Sequence, residues 1–365
     1  MSSASRTPRL LPVATLALFS PLMAEFVLGD QYLSGTMNPG QQIGEFVLFV
    51  LWYGAGAVLI RELARRTGRG WPTILLLGLG FALVEEGLLT QSLFNPHYLG
   101  LDLISYGHVG WLGTALPWAI FVLSIHVVWS IATPIALIEA IFSGPVTGPA
   151  PERFRASHPD LTGHPTPWLG RVGLGIVAAV MLLGGAATFA ISWAMGGHFL
   201  AHPAQLAGAA LLAAIVVTIA FLLRPRAVRP VRPWPPALLA GLVLSTGYQL
   251  LRYYLPGHVD AWVTTLVMIA VLALAIVLAA VLRLDVTGLA AGAALTYGWV
   301  GMIAAVPFGV PGIVEQSVIV TAVLAVVVLA LVRRGRPGEP IADDRAGTAD
   351  QNSRSSDLSI PRSAS

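Results

Sequence analysis

The stretch WVTTLVMIAVLALAIVLAAVL, residues 262–282, runs for twenty-one positions without one charged side chain. As a helix rising 1.5 Å per residue it is about 30 Å long, the thickness of a bilayer's hydrocarbon core. An amphipathic helix of a soluble core is apolar on one stripe only, whereas this one is apolar all round. Breaking the rest of the chain wherever charge, Pro or Gly interrupts about 20 apolar residues adds nine more spans. They cover residues 10–29, 43–60, 72–94, 117–142, 172–195, 203–223, 237–255, 287–307 and 314–332. The fold expected is an all-α polytopic transmembrane helix bundle of about ten spans.

Composition agrees. Of 365 residues, 56% are hydrophobic and 11% charged, where soluble proteins carry about 25% charged residues. Mean hydropathy is +0.76. There is no Cys and no Lys, so all 21 basic residues are Arg. That excludes disulfides, Cys-ligated metals, Schiff-base chemistry and a P-loop lysine.

Arg placement orients the chain, because cytoplasmic loops hold the positive charge. The N-terminus has Arg6 and Arg9, the second loop Arg61, Arg65, Arg66 and Arg69, and the fourth Arg153, Arg155 and Arg171. The sixth has Arg224, Arg226, Arg229 and Arg232, the eighth Arg283, and the C-terminal flank Arg333, Arg334 and Arg336. The odd loops have none. Both termini are therefore expected in the cytoplasm, with the basic pI of about 9.5 expressing topology and no nucleic-acid partner. The exception is Arg252, inside the seventh span. Arg6 and Arg9 before an apolar run ending at PLMA imitate a signal peptide, but the run continues to Gly29 and reads as an anchor.

Four regions follow: 1–142, a four-span unit carrying the polar cluster; 143–171, a Pro/Gly-rich cytoplasmic loop; 172–333, a six-span unit; and 334–365, a polar, disordered tail. No internal repeat is visible. Gly-rich runs such as GLAAGAAL read as close helix contacts.

Ionisable residues inside a membrane are costly, roughly 2.5 to 3.5 kcal/mol each, and mark function by default. Glu85 and Glu86 are adjacent in the third span, and both cannot stay charged and unpaired: one carries a proton, or a cation sits beside them. Thr90 and Ser92 extend their face, one turn beyond Glu86 and two beyond Glu85. In the fourth span His126, Ser130 and Thr133 form a facing stripe at similar depth. Glu25, Glu45, Arg252 and Glu315 fall in the same outer half, as a cavity open to the outside requires. Arg252 reads as counter-charge for a glutamate, and Glu139 as an interfacial residue. The alternative for His126 is a structural hydrogen bond between helices. His97 and His108 read as loop residues, and Trp52, Trp111, Trp118 and Trp129 as belt or packing.

A Glu pair followed 40 residues later by a His resembles the CPBP family of intramembrane proteases, the CAAX-processing and bacteriocin-processing enzymes. Their motifs are EExxxR, FxxxH and a His followed by Asn four positions on. Here Thr90 stands at the Arg position, Phe121 precedes His126 by five residues, and no later span holds a second His. The resemblance, confined to residues 72–142, implies metal-assisted hydrolysis in which Glu85, Glu86 and His126 hold a divalent metal such as zinc or activate water. The same stretch is also similar to bacterial multipass membrane proteins with a VEEG helix, an SLFNP exit and a His-xxx-Ser-xxx-Pro helix, which imply no activity.

Three functions remain open: a CPBP-like hydrolase, a proton- or cation-coupled carrier, and a non-catalytic membrane scaffold. The bilayer is the first partner, with a membrane protein, peptide or small solute as the second. An Arg-only, Ala/Gly/Pro-rich composition fits a GC-rich bacterial source and the cytoplasmic (inner) membrane.

Overall fold

The computed structural model describes residues 9–32, 38–142, 165–224 and 231–335. Most of the 143–171 loop and of the 334–365 tail lies outside the described residues. Within them run ten helical segments: α1 (Leu10–Phe26), α2 (Pro39–Arg66), α3 (Trp71–Leu89), α4 (Leu116–Phe142) and α5 (Arg171–Met195), then α6 (Pro203–Leu222), α7 (Trp234–Tyr254), α8 (Ala261–Val281), α9 (Val286–Ala305) and α10 (Gly309–Gly335). Seven stretches are long and apolar enough to cross a membrane, the last of them, Val286–Arg334, running through α9 and α10. α1 is a shorter apolar helix. The protein is an all-α polytopic bundle, and its only strands among the described residues are the paired dipeptides His108–Val109 and Thr114–Ala115.

Helix starts follow local chemistry. Pro occupies the first turn of α2, α3, α4, α6 and α7, where its missing N–H leaves no bond unmade. Asn38 caps α2 by accepting from Gly40 N at 3.0 Å, and His202 caps α6 by accepting from Ala204 N at 3.2 Å. Asp285 accepts from Gly288 N at 3.1 Å to cap α9 and pairs with Arg334 of α10 at 2.7 Å.

α4 and α9 are enclosed over most of their length, whereas α5, α6 and α8 turn most of their apolar surface outward, where lipid covers it. One continuous core joins Leu16, Phe19 and Met23 of α1 to Trp52 and Tyr53 of α2, Phe81 of α3 and Trp129 of α4, and on to Tyr248 of α7 and Tyr297 of α9. Side chains from 1–142 and from 172–333 thus share a single interior. α7 and α9 approach backbone to backbone at Gly241, Gly288 and Gly292; a Cβ on Gly292 would strike the backbone of Leu238 and Leu242.

Two expectations are corrected at the Arg-rich end of α2. The helix continues through Arg66, so Arg61 and Arg65 are helical and buried, and Glu139 is no interfacial residue. Arg61 pairs with Glu62 at 2.6 Å and with Glu139 at 2.9 Å, and Arg65 pairs with Glu139 at 2.7 Å. Glu62 also accepts from Trp168 N at 2.8 Å and Leu169 N at 3.1 Å, and the Trp168 ring lies 3.3 Å from the Arg61 guanidinium. Two cations and two carboxylates neutralise one another, which is how such groups survive burial.

Two substitutions test this packing by thermal unfolding in detergent. Gly292→Val should cost about 1 to 3 kcal/mol through overpacking, while Gly175→Ala, with nothing near its added methyl, should leave the transition no lower, because alanine favours the helix over glycine. Glu139→Gln leaves two buried guanidinium groups short of a carboxylate and should cost about 3 to 5 kcal/mol.

Candidate functional site

Four helices are interrupted by π turns, and every one of these turns carries residues of one polar cluster. The turns are Leu22–Phe26 in α1, with Glu25; Val50–Gly54 in α2, with Tyr53; Glu85–Leu89 in α3, with Glu85 and Glu86; and His126–Ala132 in α4, with His126 and Ser130. Single π turns inside α-helices concentrate at functional sites. Two prolines help to explain them. Pro134 cannot donate to the carbonyl of Ser130, and Pro21 cannot donate to that of Ala17, so each helix loses a rung of its ladder.

The lost rungs are replaced between helices. Ser20, fully buried, donates to the Ser130 carbonyl at 2.7 Å, with the Tyr53 carbonyl 3.2 Å away as a second acceptor. Gly54 lies directly against the Ala17 carbonyl. At the end of α1 the Gln316 amide of α10 donates to the carbonyls of Phe26 at 3.1 Å and Val27 at 3.0 Å.

The side chains then converge. Glu86 Oε1 lies 2.7 Å from His126 Nε2, and its Oε2 accepts from Thr90 Oγ1 at 3.2 Å and from the Ser92 hydroxyl. His126 Nδ1 faces Ser130 Oγ at 3.2 Å and Glu85 Oε2 at 3.6 Å. One ligand atom from each of Glu85, Glu86 and His126 falls within 4.8 Å of the others, and all three residues are buried. The Tyr53 ring stacks on the imidazole, centroids 5.7 Å apart, and Glu25 and Glu85 both act electrostatically on its hydroxyl.

Glu85 Oε2 is buried and has no hydrogen-bond partner. Its 3.6 Å distance from Nδ1 is too long for a hydrogen bond, yet two tetrahedral zinc ligands with bonds of about 2.0 Å stand about 3.3 Å apart. The donor set of two carboxylates and one imidazole suits zinc or another divalent ion of intermediate softness.

Of the residues singled out by sequence, Glu85, Glu86, His126, Thr90 and Ser130 come together, and Glu25 joins them through Tyr53. Ser92 meets Glu86 and not Glu85, because α3 ends at Leu89 and the chain reverses at Gln91, whose φ is 54°. Glu45 stays outside, accepting from Gln41 at 2.8 Å, and Glu315 accepts from Tyr32 at 3.3 Å. Arg252 pairs with no carboxylate among the described residues; its guanidinium lies 3.5 Å from the Phe121 ring, so it is not the counter-charge expected. Tyr53 and Ser20 went unnoticed in the sequence. Tyr53 is one more aromatic in an apolar run, and Ser20 one more small residue.

A bundle of apolar helices enclosing carboxylates and an imidazole defines a polytopic helical membrane protein with a buried polar centre. The chain belongs to a family described as an uncharacterized membrane protein family, whose model matches residues 14–336, a range that includes every residue of the cluster. Comparison with curated proteins and with solved structures returns no match.

Ser20→Ala should leave the freed Ser130 carbonyl without its donor. A loss of about 1 to 3 kcal/mol in thermal stability is expected, and unchanged melting would show that the hydroxyl does not brace the site.

Proposed function

We propose that this protein is a metal-dependent intramembrane hydrolase of the bacterial cytoplasmic membrane, with both termini in the cytoplasm and a peptide as substrate. The observation that carries this reading is the buried Glu85 Oε2, which makes no hydrogen bond, set among ligand atoms within 4.8 Å of one another. The Arg pattern supports the orientation, and the Glu pair and following His are shared with the CPBP pattern.

Glu85, Glu86 and His126 would hold a divalent ion. Thr90 and Ser92 orient Glu86 by their hydroxyl groups, and the Tyr53 ring fixes the imidazole plane, as outer-shell partners of metal ligands do. A bound divalent ion supplies an activated water and a polarised substrate carbonyl. With such an ion bound, Glu25 would be the proton acceptor for the attacking water and would return that proton to the leaving amine. A ligand set of two carboxylates and one imidazole has no base of its own, and the π turn of α1 carries a third carboxyl, Glu25. Apolar walls exclude bulk water and strengthen each of these interactions.

The test is metal content measured beside thermal stability for purified wild type, Glu86→Gln and His126→Ala. Wild type should hold about one divalent ion and lose stability to a chelator, by about 2.7 kcal/mol if the ion was at a hundred times its Kd. Both variants should fold, hold no ion and ignore the chelator. No ion, with a pH-dependent transition removed by Glu86→Gln, would instead assign the cluster to a proton-coupled carrier. Failure of a Glu85→Gln, Glu86→Gln protein to fold would assign it to a scaffold.

A further inference from the structure

We propose that Gln249, Arg252 and Tyr297 form a recognition subsite for the C-terminal end of a peptide, Arg252 taking the carboxylate and Gln249 the last peptide bond. The proposal deepens the hydrolase reading and rests on it for the choice of a peptide. Gln249 is fully enclosed, at 0% exposure, and neither its amide nitrogen nor its amide oxygen has a hydrogen-bond partner. The Tyr297 hydroxyl is likewise enclosed and unpartnered. Buried polar groups are ordinarily satisfied, and an amide with both atoms unmet has an unmet donor and an unmet acceptor side by side. A peptide bond offers the complement of that pair.

Arg252 lies three residues beyond Gln249 on α7, where side chains are neighbours. Its guanidinium stacks on Phe121, with the Tyr253 ring 4.8 Å away. Stacking covers the face of the group and leaves the in-plane N–H donors, a fork that fits a carboxylate. No carboxylate of the described residues takes them.

The subsite borders the carboxylate–imidazole cluster. Phe121 precedes His126 on α4, and Tyr248 shares a hydrogen bond of 2.7 Å with Ser124 of the same helix. Tyr297 stacks on Trp129, centroids 4.5 Å apart, and its charged neighbours are Asp30, Arg252 and Glu25. Ser245 and Thr296, joined at 2.5 Å, fix the register of α7 on α9 one turn before Gln249. The helix carrying the cation and the free amide thus shares one core with the helices carrying the acidic cluster, which suits a chain held at its carboxylate and cut further along.

The experiment uses the full-length protein in detergent, and the probes are an N-acetylated tetrapeptide of alanine and leucine, its C-terminal amide, and inorganic phosphate. Thermal stabilisation against probe concentration gives the affinities. The free acid should stabilise wild type saturably and bind at least about tenfold more tightly than the amide, the effect of one charge-assisted hydrogen bond. Arg252→Met should erase the difference. Gln249→Leu should weaken both peptides while raising the melting temperature of the peptide-free protein, because it removes an unmet polar group. A merely structural glutamine would show no such opposition. Equal binding of acid and amide by wild type, an Arg252→Met protein that keeps the preference, or phosphate competing as well as the acid would each overturn the proposal. Glu86→Gln separates this site from the hydrolase reading. A preference for the acid in a wild type that holds no metal removes the hydrolase and leaves the subsite, whereas bound metal lost in Glu86→Gln without any peptide preference does the reverse.

Discussion

Ser20 places its hydroxyl between two backbone carbonyls, that of Tyr53 and that of Ser130, whose helical donor position is taken by Pro134. In a bilayer such groups have no water to turn to, and each unmet one costs several kcal/mol. Pro134 removes the donor that an unbroken α4 would have offered to Ser130, and the π turns re-aim the chain at the level where Glu85, Glu86, His126 and Tyr53 meet. The irregular backbone and the polar side chains are therefore one feature. Straight helices would satisfy every peptide group internally and would point these side chains elsewhere; bent ones expose carbonyls that must be met by a neighbour. α1 and α10 supply those neighbours through Ser20 and Gln316, which is why the site needs helices far apart in sequence.

The helices themselves were legible because their signal is long and simple. Twenty apolar residues flanked by Arg or Pro read as a span, and the observed ends fall within a few residues of those expected, except where α2 runs on past Ile60 to Arg66. There the hydropathy pattern misled: Arg61 and Arg65 look like loop residues until Glu62 and Glu139 neutralise them. The convergence of Glu85 and Glu86 with His126 was also legible, from depth along two consecutive antiparallel helices. What the sequence hid were the π turns, since projection at 100° per residue assumes an unbroken helix. Hence Ser92 meets Glu86 from beyond the end of α3, and Glu25 sits in the π turn that ends α1. Pro21 and Pro134 were the available warnings. Arg252 failed as a counter-charge for a different reason: a guanidinium can be sheltered by an aromatic face as well as by a carboxylate, and sequence gives no means of choosing between them.

The two buried charged clusters are built on opposite principles, and the contrast separates structure from function. At the Arg-rich end of α2, the Arg61, Arg65, Glu62 and Glu139 side chains balance in charge, and Glu62 meets two backbone N–H groups and an Arg at once. The cluster ties α2 to α4 and to the chain entering α5. At the site, three carboxyl groups, Glu25, Glu85 and Glu86, surround a single imidazole, with Arg252 stacked on Phe121. Two hydroxyl groups and one ring nitrogen attend to Glu86, while an oxygen of Glu85 makes no hydrogen bond. A fold selected only for stability would replace such a glutamate by a leucine, because an apolar side chain of similar size costs nothing to bury. An acidic site left short of positive charge, rigidly braced by interhelical hydrogen bonds and enclosed by hydrocarbon, has the composition of a place completed by a cation.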